Sequence, residues 1–181
     1  GVYPSTDRQF LGMLGMHGSI SANKAISQAD FVLALGARFS DRVALNTKSF
    51  AKKADIAMVD IDKSEINKNV TVDVSCIGDV KDFLTKLLPL VNEAEHPEWD
   101  ESIIQWKEKE KVVKSEGCRL HPAEIIDIMC DKAEDDTIYV TDVGQHQMWA
   151  AQYIKHNAAK KFLTSGGLGT MGFGYGAAIG A

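Results

Sequence analysis

Short apolar segments alternate with helix-like segments along this 181-residue chain, and this alternation limits its fold more than any other feature. Strand-type runs occur at FVLALG, DIAMVDID, VDVSCI, TIYVTDVG and KKFLTS. Helix-type stretches such as SISANKAISQ and DVKDFLTKLL stand beside them. Such alternation is typical of α/β proteins with parallel sheets. We therefore predict the α/β fold class with a parallel, Rossmann-like sheet.

A change of composition divides the chain. Residues 94–118 are dense in charge and carry an amphipathic helical pattern, which favours a connector between domains. We predict one α/β unit over residues 1–93, a charged helical connector over 94–118, and a second α/β unit over 119–181. The chain does not begin with Met and ends in an apolar, small-residue stretch, so we expect a piece of a larger protein.

Composition excludes several classes of partner. The net charge of −5 argues against nucleic acid, which favours a basic face. No apolar run reaches the roughly 18 residues of a membrane span, so we expect no membrane partner. The cysteines, Cys76, Cys118 and Cys130, are odd in number and form no C-x-x-C pair. They indicate reduced thiols, a cytoplasmic protein and no zinc site.

The segment VTDVGQHQMW places polar residues where a strand gives way to a helix. Ligands of open α/β sheets bind beyond the carboxyl ends of the strands. Gln145 and His146 would lie at a helix N-terminus, whose free N–H groups suit an anion such as phosphate. The structural alternative is that Gly144 only makes the turn and Gln145 only caps the helix.

The glycine-rich stretch TSGGLGTMGFGYG follows the last strand-type run. Gly167–Gly172 fits G-x-G-x-x-G, the dinucleotide fingerprint, which is a weak signal by itself. Alternatively, small residues there would let a helix approach a sheet closely without any ligand.

The first unit carries its own polar loops. Arg38 and Arg42 follow the first strand and could meet phosphates, while Asp60 and Asp62 close the second and could accept from ribose hydroxyls. The alternative is that the arginines pair with Asp41 at the surface. Taken in order, with a strand before each, these features favour a nucleotide-shaped ligand.

Six stretches resemble one enzyme family: LGMHGS, ADFVLALGARFSDRV, VDID, GDV, TDVGQHQMWAAQY and SGGLGTMGFG. Together they resemble the large catalytic subunit of acetolactate synthase (acetohydroxyacid synthase), a thiamine-diphosphate enzyme. The resemblance covers nearly the whole chain in family order. It implies the later part of a central FAD-binding domain joined to the N-terminal part of a thiamine-diphosphate-binding domain, so that the dinucleotide match would be misleading.

The resemblance also implies site residues. FAD would contact Gly15, Met16, His17, Gly18, Gly36, Ala37, Arg38, Arg42, Asp60, Ile61, Asp79 and Val80. Thiamine diphosphate would contact Val143, Gly144, Gln145, His146, Gly169 and Met171. No catalytic or metal-binding residue is expected here, because the family's activating glutamate and Mg2+ ligands lie in parts outside this stretch.

The implied function is a transferase of branched-chain amino acid biosynthesis that joins pyruvate to a second 2-keto acid with loss of CO2. The cofactors would be thiamine diphosphate, Mg2+ and FAD. The partners would be small 2-keto acids, further copies in a homodimer or larger assembly, and a regulatory subunit. The 181 residues alone are expected to be inactive. Two alternatives stay open: a sister thiamine-diphosphate enzyme, such as glyoxylate carboligase or a 2-keto-acid decarboxylase, and a non-catalytic nucleotide-binding module.

Overall fold

A computed structural model describes residues 2–110, 115, 117 and 119–181 of the chain. The chain divides into two compact units. The first consists of Gly1–Met13 together with Lys109–Ala181, and the second consists of Leu14–Glu108. The predicted domain boundaries at residues 93 and 118 stay predictions, because compactness does not test which residues make up an evolutionary domain.

The Leu14–Glu108 unit is built on a parallel sheet of three strands in the order β1-β2-β3. The register pairs Leu35 with Val59 and Asp60 with Ile77, so the carboxyl ends of neighbouring strands lie side by side. This arrangement confirms the predicted α/β class. The elements are α1 (Ile20–Gln28), β1 (Phe31–Leu35), β2 (Asp55–Asp60), β3 (Val74–Ile77), α2 (Val80–Leu87) and α3 (Pro97–Lys109).

Local chemistry sets the helix ends of this unit. The hydroxyl of Ser19 accepts from the N–H of Ala22 at 3.1 Å and begins α1. The carboxylate of Asp79 accepts from the N–H groups of Lys81 and Asp82 and begins α2. Proline cannot continue a helix interior, and α2 ends at Leu87 before a 3-10 turn over Leu88–Leu90 that contains Pro89.

The core of this unit lies against the central strand β2. Met58 and Val59 are each 1% exposed. Burying side chains of that size contributes about 1.5–3 kcal/mol each. Phe39 packs its ring edge-on to Phe50 at a centroid distance of 5.3 Å. Further members of the cluster are Ala34, Ala44, Ala51, Ile56 and Val70.

The other unit contains a short parallel pair of strands. Tyr139 N donates to Lys161 O at 2.8 Å and Thr141 N to Leu163 O at 3.0 Å. Pro122 lies in the first turn of its helix, where proline is tolerated, and the Nδ1 atom of His121 caps that turn. The elements are α4 (Pro122–Lys132), β4 (Tyr139–Val140), α5 (Gln145–Tyr153), β5 (Phe162–Leu163) and α6 (Phe173–Gly180).

The first residues of the chain pack on this same unit. Ser5 N donates to His156 O at 2.8 Å, and His156 N donates to the Ser5 hydroxyl at 2.7 Å. The ring of Phe10 lies edge-on to that of His156, which is buried. Residues 4–10 therefore form a strap over the connection between α5 and β5, and we call them the N-terminal strap.

Two other sequence-based predictions concern cysteines and membranes. Cys76 and Cys130 are free thiols, while Cys118 lies outside the described residues. Within the described ranges, no helix has both the length and the apolar character that crossing a membrane requires.

Candidate functional site

Gly144 makes the turn between β4 and α5. Its φ of 149° and ψ of −168° lie in a region that is essentially restricted to glycine. Gly144 is the N-cap of α5 and Gln145 is the first helical residue, so the idea that Gln145 caps the helix is wrong. The N-cap is the residue just before the first helical residue and has non-helical dihedral angles, and here that residue is Gly144.

The N-terminus of α5 is open to an anion. Gly144 has no side chain to cap this helix end, and no side-chain cap occurs there among the described residues. The N–H groups of the first helical turn point outward along the positive end of the helix dipole. Gln145 and His146 are both exposed there. The imidazole of His146 lies beside Gly144, where an added Cβ would be 3.1 Å from His146 Nδ1.

The glycine-rich loop lies against this turn. Gly169 and Gly172 have φ of +63° and +89°, a conformation that favours glycine. A Cβ on Gly169 would be 3.8 Å from Val143 Cγ1. Met171, between them, has 83% of its surface exposed. The structure therefore brings Val143–His146 and Gly169–Met171 together at the carboxyl ends of β4 and β5.

Glycine packing separates two explanations for this stretch. A Cβ on Gly174 would lie 2.8 Å from Asp142 N, so this glycine is needed for the close approach of α6 to the strand end. Gly167 has nothing within 4 Å and no positive φ, so nothing in the described fold requires glycine there. Close packing thus explains Gly174, which lies outside the fingerprint, and leaves Gly167 free for the approach of a ligand.

Sequence reasoning missed the polar side chains that hold these loops. Asp142 accepts from Val143 N at 2.7 Å, from Gly172 N at 3.0 Å and from Gly174 N at 3.2 Å. The amide of Gln147 donates to Thr164 Oγ1 at 2.8 Å, and Thr164 Oγ1 lies 2.7 Å from Thr141 Oγ1. An aspartate directly before Val-Gly at a strand end was the available signal.

These contacts fix the charge of Asp142. Hydrogen bonds from the N–H groups of Val143 and then Gly172 hold the pKa of this carboxyl below its ordinary value, and partial burial acts in the opposite direction. Nearby His146 lowers the pKa further. Asp142 is therefore an ionised acceptor at neutral pH.

In the Leu14–Glu108 unit, the loop at Gly15–Gly18 is fastened to the loop after β1. Met16 N donates to Arg42 O at 2.8 Å, and Gly15 exchanges two hydrogen bonds of 3.0 Å with the side chain of Asn23. A Cβ on Gly15 would lie 2.3 Å from Arg42 O, so only glycine fits. His17 lies within this turn, which Gly18 closes by donating to Gly15 O at 3.0 Å.

The remaining predicted FAD-side residues follow the three strands. Gly36, Ala37 and Arg38 come after β1, and all three are exposed. Gly36 N donates to Val59 O at 2.8 Å, and Gly78 N donates to Asp60 O at 2.9 Å, which keeps the three strand ends together. The structure thus places Gly36–Arg38, Asp60–Ile61 and Asp79–Val80 along one edge of the sheet.

Several of these residues also have structural contacts. Asp60 is 8% exposed, and its Oδ1 accepts from Asp62 N at 2.9 Å. Asp79 caps α2 through its carboxylate. Arg42 Nη1 lies 3.7 Å from Asp41 Oδ2, and both side chains are well exposed. Such a surface pair contributes about 0–1 kcal/mol. The predicted surface pairing is therefore present for Arg42.

A separate groove lies between α1 and α3 and has a volume of about 820 Å3. Its lining includes Lys24, Gln28, His96, Trp99 and Trp106, and none of the predicted site residues. The rings of Trp99 and Trp106 meet edge-on at 5.6 Å. This groove is therefore distinct from both loop clusters.

No group of three or more His, Cys, Asp or Glu residues that could hold a metal ion occurs in the part of the chain that the structure describes. We therefore assign no Mg2+ ligand to any described residue.

Comparisons with known proteins bear on both loop clusters. Residues 1–87 match the central domain of thiamine pyrophosphate enzymes, and residues 142–181 match their C-terminal TPP binding domain. The acetolactate synthase large subunit of Lactococcus lactis is 43% identical over 100% of this chain and 32% of its own length. That of the alga Porphyra purpurea is 42% identical over 100% of this chain and 32% of its length. The acetolactate synthase isozyme 3 large subunit of Escherichia coli is 37% identical over 99% of this chain and 33% of its length.

The chain thus spans about a third of the length of the curated relatives it matches. Three observations agree on the family. The sheets are parallel, a glycine-rich loop lies beside an open helix N-terminus, and two domains of thiamine pyrophosphate enzymes match. The chain belongs to the thiamine pyrophosphate enzyme family, and within it is similar along its whole length to the large subunits of acetolactate synthase.

Proposed function

We propose that this chain supplies cofactor-binding parts of an acetolactate synthase, which condenses pyruvate with a second 2-keto acid and releases CO2. The observation that carries this proposal is the position of the glycine-rich loop beside the turn before α5, where Val143 Cγ1 lies next to Gly169 and Asp142 accepts from Gly172 N. The named relatives favour this function over a sister thiamine-diphosphate enzyme and over a non-catalytic nucleotide-binding module.

The arrangement fits the two ends of thiamine diphosphate. The N-terminus of α5, whose N-cap Gly144 makes no side-chain hydrogen bond, offers N–H groups and the positive end of a helix dipole to a diphosphate. The loop at Gly169–Met171 offers main chain without bulky side chains, and Gly167 leaves room beside it. When bound, the cofactor supplies the electron sink that stabilises a carbanion. The residues of this chain would hold and orient it.

The carboxyl ends of β1, β2 and β3 in the Leu14–Glu108 unit have the arrangement that FAD binding would need. The three strand ends lie side by side in a row, the loop at Gly15–Gly18 is bonded through Met16 N to Arg42 O, and Gly36–Arg38 are exposed. An extended dinucleotide needs such a row. We propose a structural role for FAD there, because the net condensation consumes no reducing equivalents.

We extend the proposal to the working assembly. The active protein would be a cytoplasmic homodimer or larger oligomer with a regulatory subunit, and it would use Mg2+ to bind the diphosphate. These features come from the family resemblance. The activating glutamate and the Mg2+ ligands are expected in regions of the relatives that this chain does not span.

The test is product analysis on the longer enzyme of which we propose this chain to be a part, supplied with pyruvate, thiamine diphosphate, Mg2+ and FAD. We expect acetolactate as the product. Acetaldehyde as the main product would instead indicate a 2-keto-acid decarboxylase, and no binding of thiamine diphosphate would contradict the proposal. The polypeptide of residues 1–181 alone is expected to give no turnover.

Binding variants test the site itself. Gln145→Ala and His146→Ala should each weaken thiamine-diphosphate binding, by roughly 10-fold if one hydrogen bond to a charged group is lost. Asn157→Ala, an exposed change in the same unit, is the matched control. Trp149 lies on α5, so its fluorescence can report binding directly.

A further inference from the structure

Asp142 connects parts of the chain that lie far apart in sequence. Its carboxylate accepts from Gly172 N at 3.0 and 3.1 Å, through Oδ1 and Oδ2 respectively, and from Gly174 N at 3.2 Å. These donors follow it by about 30 positions in the chain. The carboxylate also accepts from the neighbouring Val143 N at 2.7 Å. Asp142 therefore ties the loop after β4 to the start of α6.

Helix α6 has no local cap that could replace this contact. Its N-cap residue is Gly172, which makes no side-chain hydrogen bond. Two of the N–H groups at this helix end are instead occupied by Asp142 from another element. Among the residues that the structure describes, no side chain caps the N-terminus of α5, so the two helix ends differ: Asp142 occupies that of α6, and that of α5 is open.

A second anchor holds the other side of the glycine loop. Thr170 N donates to Ser165 Oγ at 3.0 Å, and Gly169 N donates to Ser165 O at 3.1 Å. Met171 therefore lies between two fastened amides, those of Thr170 and Gly172, while its side chain is exposed. The position of the Met171 backbone is set by Ser165 on one side and by Asp142 on the other.

We propose that Asp142 is a positioning residue, whose carboxylate holds the loop at Gly169–Gly172 beside the N-terminus of α5 so that the two bind thiamine diphosphate together. This inference rests on the proposed function. Asp142 itself does not touch the cofactor, because its oxygens are occupied by main-chain N–H groups. Its ionised state, maintained by those same groups, keeps the contact intact at neutral pH.

The test uses Asp142→Asn and Asp142→Ala in the protein, with thiamine-diphosphate affinity and kcat measured separately. Asparagine keeps one acceptor oxygen and nearly the same volume, so its effect should lie between wild type and alanine. We expect the dissociation constant to rise about tenfold in Asp142→Ala, as the loss of a charge-assisted contact implies. At saturating cofactor, kcat should change by less than the affinity does.

Two further variants make the outcome decisive. Asp135→Asn removes an exposed carboxylate of the same unit and should leave affinity unchanged. Ser165→Ala removes the side-chain part of the other anchor, the hydroxyl that accepts from Thr170 N. It should weaken binding in the same way as Asp142→Asn, which answers the question even where Asp142→Ala fails to fold. Wild-type affinity in both Asp142→Asn and Ser165→Ala would overturn the inference. A wild-type protein that does not bind the cofactor would overturn the proposed function instead.

Discussion

Two glycines of α6, Gly174 and Gly176, have different surroundings although they are two positions apart. A Cβ on Gly174 would lie 2.8 Å from Asp142 N and 3.0 Å from the Thr141 carbonyl carbon, whereas nothing lies within 4 Å of a Cβ on Gly176. We expect Gly174→Ala to lower the free energy of unfolding by about 1–3 kcal/mol, since main chain must move. Gly176→Ala should raise it by about 0.5–1 kcal/mol. Urea unfolding of the pair measures both, and equal stabilities would contradict the close approach.

Tyr139 provides a second prediction for a single side chain. Burial, and then a hydrogen bond to Cys130, raise the pKa of Tyr139 from 10.0 to about 12. Between these values the unfolded chain has lost the phenolic proton while the folded chain keeps it, so stability falls as the pH rises. Tyr139→Phe should flatten this alkaline decline between pH 10 and 12, as measured by urea unfolding at several pH values. An unchanged decline would show that Tyr139 is not its cause.

Some residues of the candidate site could be predicted from the sequence, and others could not. Gly144, Gln145 and His146 could be found because a strand, a glycine and a polar helix start are visible in the sequence. The position of Asp142 before Val-Gly was visible, but its partners were not, because Gly172 and Gly174 become its neighbours only when β4 and β5 pair. The sequence likewise could not separate Gly174, which packing requires, from Gly167, which it does not.

At the scale of elements, α2 allows capping and ligand binding to be separated. Asp79→Ala removes the N-cap and should cost about 1 kcal/mol of stability, while Asp79→Ser keeps an acceptor oxygen and should stay close to wild type. Lys81→Ala, an exposed change in the same turn, is the control. FAD titration of Asp79→Ser then shows whether the carboxylate also contacts the flavin cofactor, since stability is preserved. A fully stable Asp79→Ala variant would disprove the capping role.

The elements themselves were largely predictable. Ser19, Asp79 and Pro122 mark helix starts, and Pro89 marks an end, because their preferences act within one turn of the chain. The succession of the five strands along the chain followed from the alternation of strand-type and helix-type segments. The length of β4 and β5, two residues each, was not predictable, since it depends on how far the partner strand stays in register.

For the whole molecule, the exposed apolar side chains predict self-association of the polypeptide of residues 1–181. Val74 and Ile77 are exposed on β3, and Tyr175 and Ile179 are exposed on α6. Exposed apolar side chains on either element promote association. We expect the average mass in sedimentation velocity to rise with concentration. Ile179→Lys should reduce that rise more than Ala178→Lys, which adds the same charge beside it; an equal reduction would point to net charge alone.

The N-terminal strap affects how the gene could be recombined with its relatives. Ser5 and His156, 151 positions apart, exchange hydrogen bonds within one unit. In the sequence, the Leu14–Glu108 unit is therefore inserted between the two segments that make up the other unit. In a chimera with a single crossover near residue 108, Ser5 would come from one parent and its partner His156 from the other. Paired crossovers at residues 13 and 108 would exchange only the Leu14–Glu108 unit, so the N-terminal strap and His156 would still come from the same parent.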